Sequence, residues 1–296
     1  MLLNWGSLVN KNFLKISFVL FVLVYNIKAH ALTYLFSHGL FDSEIQAYRY
    51  TKEYQTFFGG IANNPFYIMD GDVKTFSYPD VIGIFSKIPF LSKIPLIYKT
   101  SFGQGNELEA LRSAYNQIDD DEVILVGVSR GASNILIFMG LDKPERVKGA
   151  VLISPFDLVR NVFEYHMVTW LISKITCCDK KTVYKWLKMI TCFNEDGVHP
   201  IDLVEKIESD VPLLFVCAET DKTVPCKSTI SLYEKLVDCG HKKAHLLTLE
   251  SGKHGKLLYS LEAERFQNVV HAFYQKYDLP YDEKFAQLGV KDFSVC

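Results

Sequence analysis

Six short apolar runs, set apart by segments of helical length, constrain the fold of this chain more than any other feature. The runs 32–37, 73–77, 123–128, 150–154, 213–218 and 246–249 are rich in β-branched and large apolar residues, and most lack the alternation of a half-exposed strand. Strands of that kind are covered on both faces, as in a parallel sheet between two helical layers. Helices are expected over 43–58, 107–118, 132–141, 227–239 and 256–277. In the third of these, Ala132, Ile135, Leu136 and Met139 fall at i, i+3, i+4 and i+7, one apolar face. Strand and helix in alternation, joined by right-handed crossovers, give a doubly wound, mostly parallel α/β sheet.

Composition agrees with a globular domain and narrows its partners. The 296 residues are 49% hydrophobic and 22% charged, and the 17 Gly and 10 Pro show no period, so no repeat array is expected. Lys and Arg total 32 against 34 Asp and Glu, a net charge of -2, which leaves no basic surplus for a nucleic-acid backbone.

The first 31 residues stand apart. Lys11 and Lys15 precede an apolar run of about a dozen residues, against the roughly 20 that cross a bilayer as a helix, and Ala29-His30-Ala31 follows. This is the layout of a secretory signal peptide, with an uncleaved N-terminal anchor drawing on Met1 to Val9 as the alternative. The expectation is a secreted or periplasmic protein, or one kept near a membrane by its N-terminus, with a single domain over 32–296.

Seven cysteines (Cys177, Cys178, Cys192, Cys217, Cys226, Cys239 and Cys296) are too few for a disulfide scaffold. Cys192 with Cys177 or Cys178 could bridge within one helical region, and buried small apolar residues are the plain alternative. Cys217, in an apolar strand, is expected in the core.

Two connections are longer than a crossover requires. The stretch 79–103 contains Pro79, Pro89 and Pro95 among many apolar residues, and the stretch 155–210 reads as helical around 158–175, 180–189 and 201–207. The second predicts a helical lid insert, with the aromatics Phe156, Phe163, Tyr165, Trp170 and Trp186 divided between core packing and contact with a substrate.

Chemistry concentrates where the strand 123–128 runs through Gly127-Val128-Ser129-Arg130-Gly131 into the next helix. Small residues at both ends of G-x-S-x-G let a strand reverse into a helix and leave the serine exposed at the strand's carboxyl end. A turn serine without chemistry is the bland alternative. Later in the chain, Glu219-Thr220-Asp221-Lys222-Thr223-Val224-Pro225 follows one apolar strand, and Ser251-Gly252-Lys253-His254-Gly255 follows the last.

These segments together resemble the α/β-hydrolase fold serine hydrolases, over about residues 32–277. The resemblance implies a triad of Ser129 as nucleophile, His254 as base and Asp221 as the acid that fixes the imidazole tautomer. Ala218 stands where many relatives have Gly, which leaves Asp221 in place. Asp157, after the preceding strand, is the runner-up acid, and Glu219 reads as a solvated loop charge. The backbone amides of Arg130 and Leu40 are the implied oxyanion donors, Leu40 from Phe36-Ser37-His38-Gly39-Leu40-Phe41, where His38 orients the loop.

The other histidines lack metal-ligand spacing, and Gly103-Gln104-Gly105 reads as a turn into a helix because Leu108 replaces a third glycine. Neither metal nor cofactor is expected. The function implied is hydrolysis of carboxylic esters through an acyl-serine intermediate, on a small-molecule or lipid-like ester. The alternative is a serine peptidase of prolyl-oligopeptidase-like type, and a non-catalytic binding protein on the same fold comes third.

Overall fold

The computed structural model describes residues 32–40, 42–55, 61–79, 100–165, 174, 179, 181–185 and 193–296. The segment 1–31, the insert 80–99 and most of 166–192, including Trp170, Trp186, Cys177, Cys178 and Cys192, lie outside them. No helix among the described residues is long and apolar enough to cross a membrane.

The strands are β1 (Leu32–Ser37), β4 (Asp72–Thr75), β5 (Glu122–Val128), β6 (Val147–Ile153), β7 (Leu213–Ala218) and β8 (Ala244–Leu249). They form one sheet in the order β4-β1-β5-β6-β7-β8, every pair parallel. Two short strands, β2 (Glu53–Gln55) and β3 (Ile61–Asn63), form a separate antiparallel ribbon. The α-helices are α1 (Asn106–Asn116), α2 (Arg130–Asp142), α3 (Val159–Tyr165), α4 (Pro200–Leu203), α5 (Cys226–Asp238), α6 (Ala263–Lys276) and α7 (Glu283–Phe293), with short 3-10 helices at Glu44–Arg49, Val204–Lys206 and Leu257–Tyr259.

Burial explains why the strands read as continuous apolar runs. Tyr34, Phe36, Ile124, Val126, Val151, Leu214 and Val216 point to one face and pack with Phe266, Val270 and Phe273 of α6. Their sequence neighbours Leu35, Val123, Leu125, Ala150, Leu152 and Phe215 point to the other and pack with α1, α2 and α5. Period two persists in direction, while both directions lead into core.

The order reverses at β1: the chain steps outward to β4, then returns to place β5 on the other side of β1. Carboxyl ends of strands diverge at such a switch, which leaves a crevice. The segments carrying Leu40, Ser129, Asp221 and His254 follow β1, β5, β7 and β8 at that edge.

The structure departs from the sequence reading in three places. The helix expected over 43–58 is a short 3-10 helix (Glu44–Arg49) followed by β2. The helix expected over 256–277 begins as a separate 3-10 turn (Leu257–Tyr259) before α6, because Ser260 is extended and interrupts it. Helix α7 falls beyond the residues that carried the resemblance, and it packs on α6 so closely that a side chain at Gly289 would overlap the carbonyl of Asn268.

Candidate active site

The turn after β5 shows why its residue types are required. Ser129 has φ 56° and ψ -120°, a left-handed conformation for a non-glycine residue that costs on the order of 1–3 kcal/mol and persists only where the surroundings impose it. A Cβ on Gly127 would lie 2.7 Å from the backbone of Ala132, and one on Gly131 would overlap the carbonyl of Ser37. The first glycine therefore lets α2 fold back on β5, and the second lets it touch the end of β1. Ser129 is 6% exposed, and its hydroxyl does not cap the helix it precedes. Arg130 opens that helix, so its amide has no intrahelical acceptor and sits at the positive end of the helix dipole.

Across the crevice, His254 Nδ1 lies 2.6 Å from Asp221 Oδ2. The carboxylate is 1% exposed, and its other oxygen accepts from the amides of Thr223 at 2.8 Å and Val224 at 3.1 Å. Thr220 Oγ1 accepts from the Gly252 amide at 2.9 Å, tying the acid loop to the histidine loop. Tyr50 donates to the Gly255 carbonyl at 3.2 Å, which ties the histidine loop to the segment after the first 3-10 turn. A side chain added at Gly255 would come within 3.6 Å of Val128 Cγ1, so the residue after His254 lies close to the one before Ser129. With Nδ1 engaged by the Asp221 carboxylate, Nε2 is the ring nitrogen that this contact leaves over.

Asp157 has other partners. Its carboxylate accepts from the amide of Leu158 at 2.7 Å and from Asn161 Nδ2 at 2.9 Å, closing the start of α3. Glu219 is exposed. Gly103 and Gly105 both have positive φ and turn the chain into α1.

Leu40 is half-buried and joins a cluster of Phe102, Phe156, Val159, Phe193 and Val224, with Val162 and Phe163 against it. Tyr165 of α3 reaches over to donate to the backbone carbonyl of Asp221 at 2.9 Å. The aromatic side chains of the described part of the long insert therefore border the acid loop. His254 also lines an open groove of about 880 Å³ with Thr220, Lys222, Lys253, Tyr259 and Leu261.

Several residues at this edge escaped the sequence reading. Cys217 lies in the core as expected, and it is also joined to Cys226, so a disulfide closes the loop that carries Asp221. Gln46 Oε1 accepts from the Gly39 amide at 2.8 Å. Arg130 and Glu107 form a buried ion pair at 3.4 Å, with 0% and 2% side-chain exposure. Burial alone would raise the Glu107 carboxyl, but Arg130 and hydrogen bonds from Thr100, Gly103 and Asn134 outweigh it and hold the group below the usual carboxylate range. No sequence signal pairs these residues, since 23 positions separate them. Among the described residues no cluster of metal-ligating side chains occurs.

The sequence model of the prolyl oligopeptidase family matches residues 104–278. No curated protein matches the chain. Among solved structures, the acylaminoacyl peptidase of Pyrococcus horikoshii superposes with a TM-score of 0.50 at 14% identity, over 86% of this chain and 38% of that one. The esterase Pf2001 of Pyrococcus furiosus gives 0.51 at 14%, over 82% and 81%. A bromoperoxidase from Bacillus anthracis gives 0.50 at 13%, over 83% and 92%. This chain spans well under half of the acylaminoacyl peptidase, and at these identities the likeness is one of fold, the α/β-hydrolase fold.

Proposed function

The chain belongs to the prolyl oligopeptidase family, and on that premise we propose that it hydrolyses carboxylic esters through an acyl intermediate on Ser129. The observation that carries the reading is the 2.6 Å bond between His254 and Asp221, with the histidine loop close to the Ser129 elbow. Ser129 Oγ attacks the carbonyl carbon as its proton passes to His254 Nε2, and Asp221 stabilises the imidazolium. The carbonyl oxygen takes up the negative charge and accepts from the amides of Leu40 and Arg130. Collapse of the adduct expels the alcohol, which takes the proton from His254 Nε2. Water then attacks the acyl-serine as its proton passes to His254 Nε2, and on collapse the bond to Ser129 Oγ breaks, Oγ takes that proton back from His254, and the acid is released.

The partly buried Leu40, Val162 and Phe163, packed on the core of Phe102, Phe156, Val159, Phe193 and Val224, support an apolar acyl group. Each methylene that such a group buries on binding adds about 0.8 kcal/mol, roughly a fourfold gain in kcat/KM until no further chain is covered. Peptide hydrolysis by the same triad is the second reading, favoured by the family match over residues 104–278.

The test is a series of p-nitrophenyl esters of increasing chain length beside proline-site and basic-site peptide amides, with Ser129→Ala as control. The expected result is ester turnover that climbs with chain length and is abolished in Ser129→Ala, together with its labelling by a fluorophosphonate. Efficient cleavage of the peptides without a chain-length trend among the esters makes the peptidase reading the correct one. Turnover above a few percent in Ser129→Ala removes the nucleophile.

A further inference from the structure

The loop after β1 presents a carbonyl that is held from two sides. Gly39 O accepts from His38 Nδ1 at 2.9 Å and from Arg130 Nη2 at 3.3 Å, while the Gly39 amide donates to Gln46. Described peptide bonds contain no cis form, so the bond from Gly39 to Leu40 is trans. In a trans peptide the C=O and the following N–H point in opposite directions within one rigid plane. Two donors that fix the Gly39 carbonyl therefore fix the direction of the Leu40 N–H as well.

The Arg130 side chain is itself immobilised, far from solvent. Its guanidinium lies 4.3 Å from the centre of the Tyr78 ring and 3.4 Å from Glu107 Oε1. Glu107 is in turn fixed by Thr100 Oγ1 at 2.6 Å, the Ser101 amide at 2.8 Å, the Gly103 amide at 2.9 Å and Asn134 Nδ2 at 3.1 Å. His38 completes the enclosure: with hydrogen on Nδ1, its Nε2 accepts from the Tyr78 amide at 3.4 Å. The planar fork of an arginine suits this task, because it can address a carboxylate and a carbonyl at once.

We infer that the Arg130 guanidinium, anchored by Glu107, is a positioning residue that aims the Leu40 amide at the developing oxyanion. Residue 130 then serves the oxyanion hole twice, with its own amide as one donor and with its side chain as the support of the other. The inference rests on the Ser129 reading above and extends it to groups that never touch the substrate.

Loss of a complete oxyanion donor costs about 100- to 1,000-fold in kcat, and a misaimed donor costs part of that. Arg130→Lys keeps the charge and loses the fork, and is expected to lower kcat about 10- to 100-fold with KM changed less than threefold. Affinity for an alkyl boronic acid, which forms a tetrahedral adduct on the serine, should fall in parallel with kcat. His38→Ala removes the second donor on Gly39 O and should lower kcat about tenfold, while His38→Asn, whose amide nitrogen can replace Nδ1, should recover most of it. Rescue of that kind does not follow from a merely structural role. Folded Arg130→Lys and His38→Ala proteins with kcat within twofold of the parent overturn the inference, as does a fall in kcat that leaves boronate affinity unchanged. Should Arg130→Lys not fold, the His38 pair decides by the same readouts. A parent protein dead only as Ser129→Ala, beside variants at full activity, rejects the positioning role alone; turnover in Ser129→Ala rejects the site itself.

Discussion

At the ends of β1 and β5, backbone touches backbone through Gly127 and Gly131, and a fully buried arginine and glutamate stand behind the contact. At the ends of β7 and β8, Asp221 and His254 sit on loops joined by a few hydrogen bonds, with one disulfide behind the acid and an open groove beside the base. Under the proposed function, the difference suits what each side would have to do. Amides that stabilise an oxyanion cannot reorganise without losing their advantage, which matches a Ser129 side built into the core. A base must take a proton from one group and deliver it to another, which matches a loop anchored at its ends with the imidazole 20% exposed.

The sharpest way to break this contrast is at the acid. Asp221→Asn preserves shape and removes the charge that orients His254, and kcat should fall by about three to four orders of magnitude while the melting temperature barely moves. Asp157→Asn in the same assay ranks the two carboxylates, and a larger loss there would shift the acid to Asp157.

On the nucleophile side the large effect should be on stability instead. Glu107→Gln leaves a buried guanidinium without its charge partner, which costs about 3–5 kcal/mol in comparable pairs. Because the folded-state Glu107 carboxyl titrates below its unfolded value, its contribution is present above that unfolded value and is lost as pH falls through the folded one. Denaturant midpoints of the parent should therefore drop in acid, below the ordinary glutamate range, and Glu107→Gln should flatten that limb. An unchanged acid limb in the variant would locate the sensitivity elsewhere.

A smaller effect is expected at the disulfide. Cys226→Ser opens the short loop between Cys217 and Cys226, for which chain entropy gives roughly 2–3 kcal/mol. Thr223 and Val224 still hold the Asp221 carboxylate through their amides, so activity at low temperature should remain within a few fold of the parent. A loss of kcat as large as that of Asp221→Asn would show that the disulfide, and not the amides, places the acid.

The smallest effect belongs to Asp157. Its asparagine variant should lower stability by no more than about 1 kcal/mol, as for a helix-capping group, and leave kcat within twofold.

Much of the fold was readable before any coordinates, because strands buried on both faces must be apolar at every position and the helix of Ala132, Ile135, Leu136 and Met139 must show one apolar face. The sheet, its parallel sense and the turn at Ser129 rest on those local rules. Helix 43–58 failed for the opposite reason: its apolar residues could serve a helix or a ribbon equally, and the chain forms a 3-10 turn followed by β2. Ser129, Asp221 and His254 could be nominated from motifs that each lie within a few residues of a strand end.

What the tertiary structure alone decided lies between segments distant in sequence. Glu107 reaches Arg130 across 23 positions, and Gly255 approaches Val128 across more than a hundred. The Cys217–Cys226 bond is closer in sequence, spanning nine positions, yet it too forms because the end of β7 and the start of α5 meet in space. Local sequence determines how each segment folds, since propensity and burial act within a turn or a strand. Which charged or polar groups then meet depends on how the sheet stacks its strands, because a buried charge is stable only beside the partner that the assembled fold brings to it.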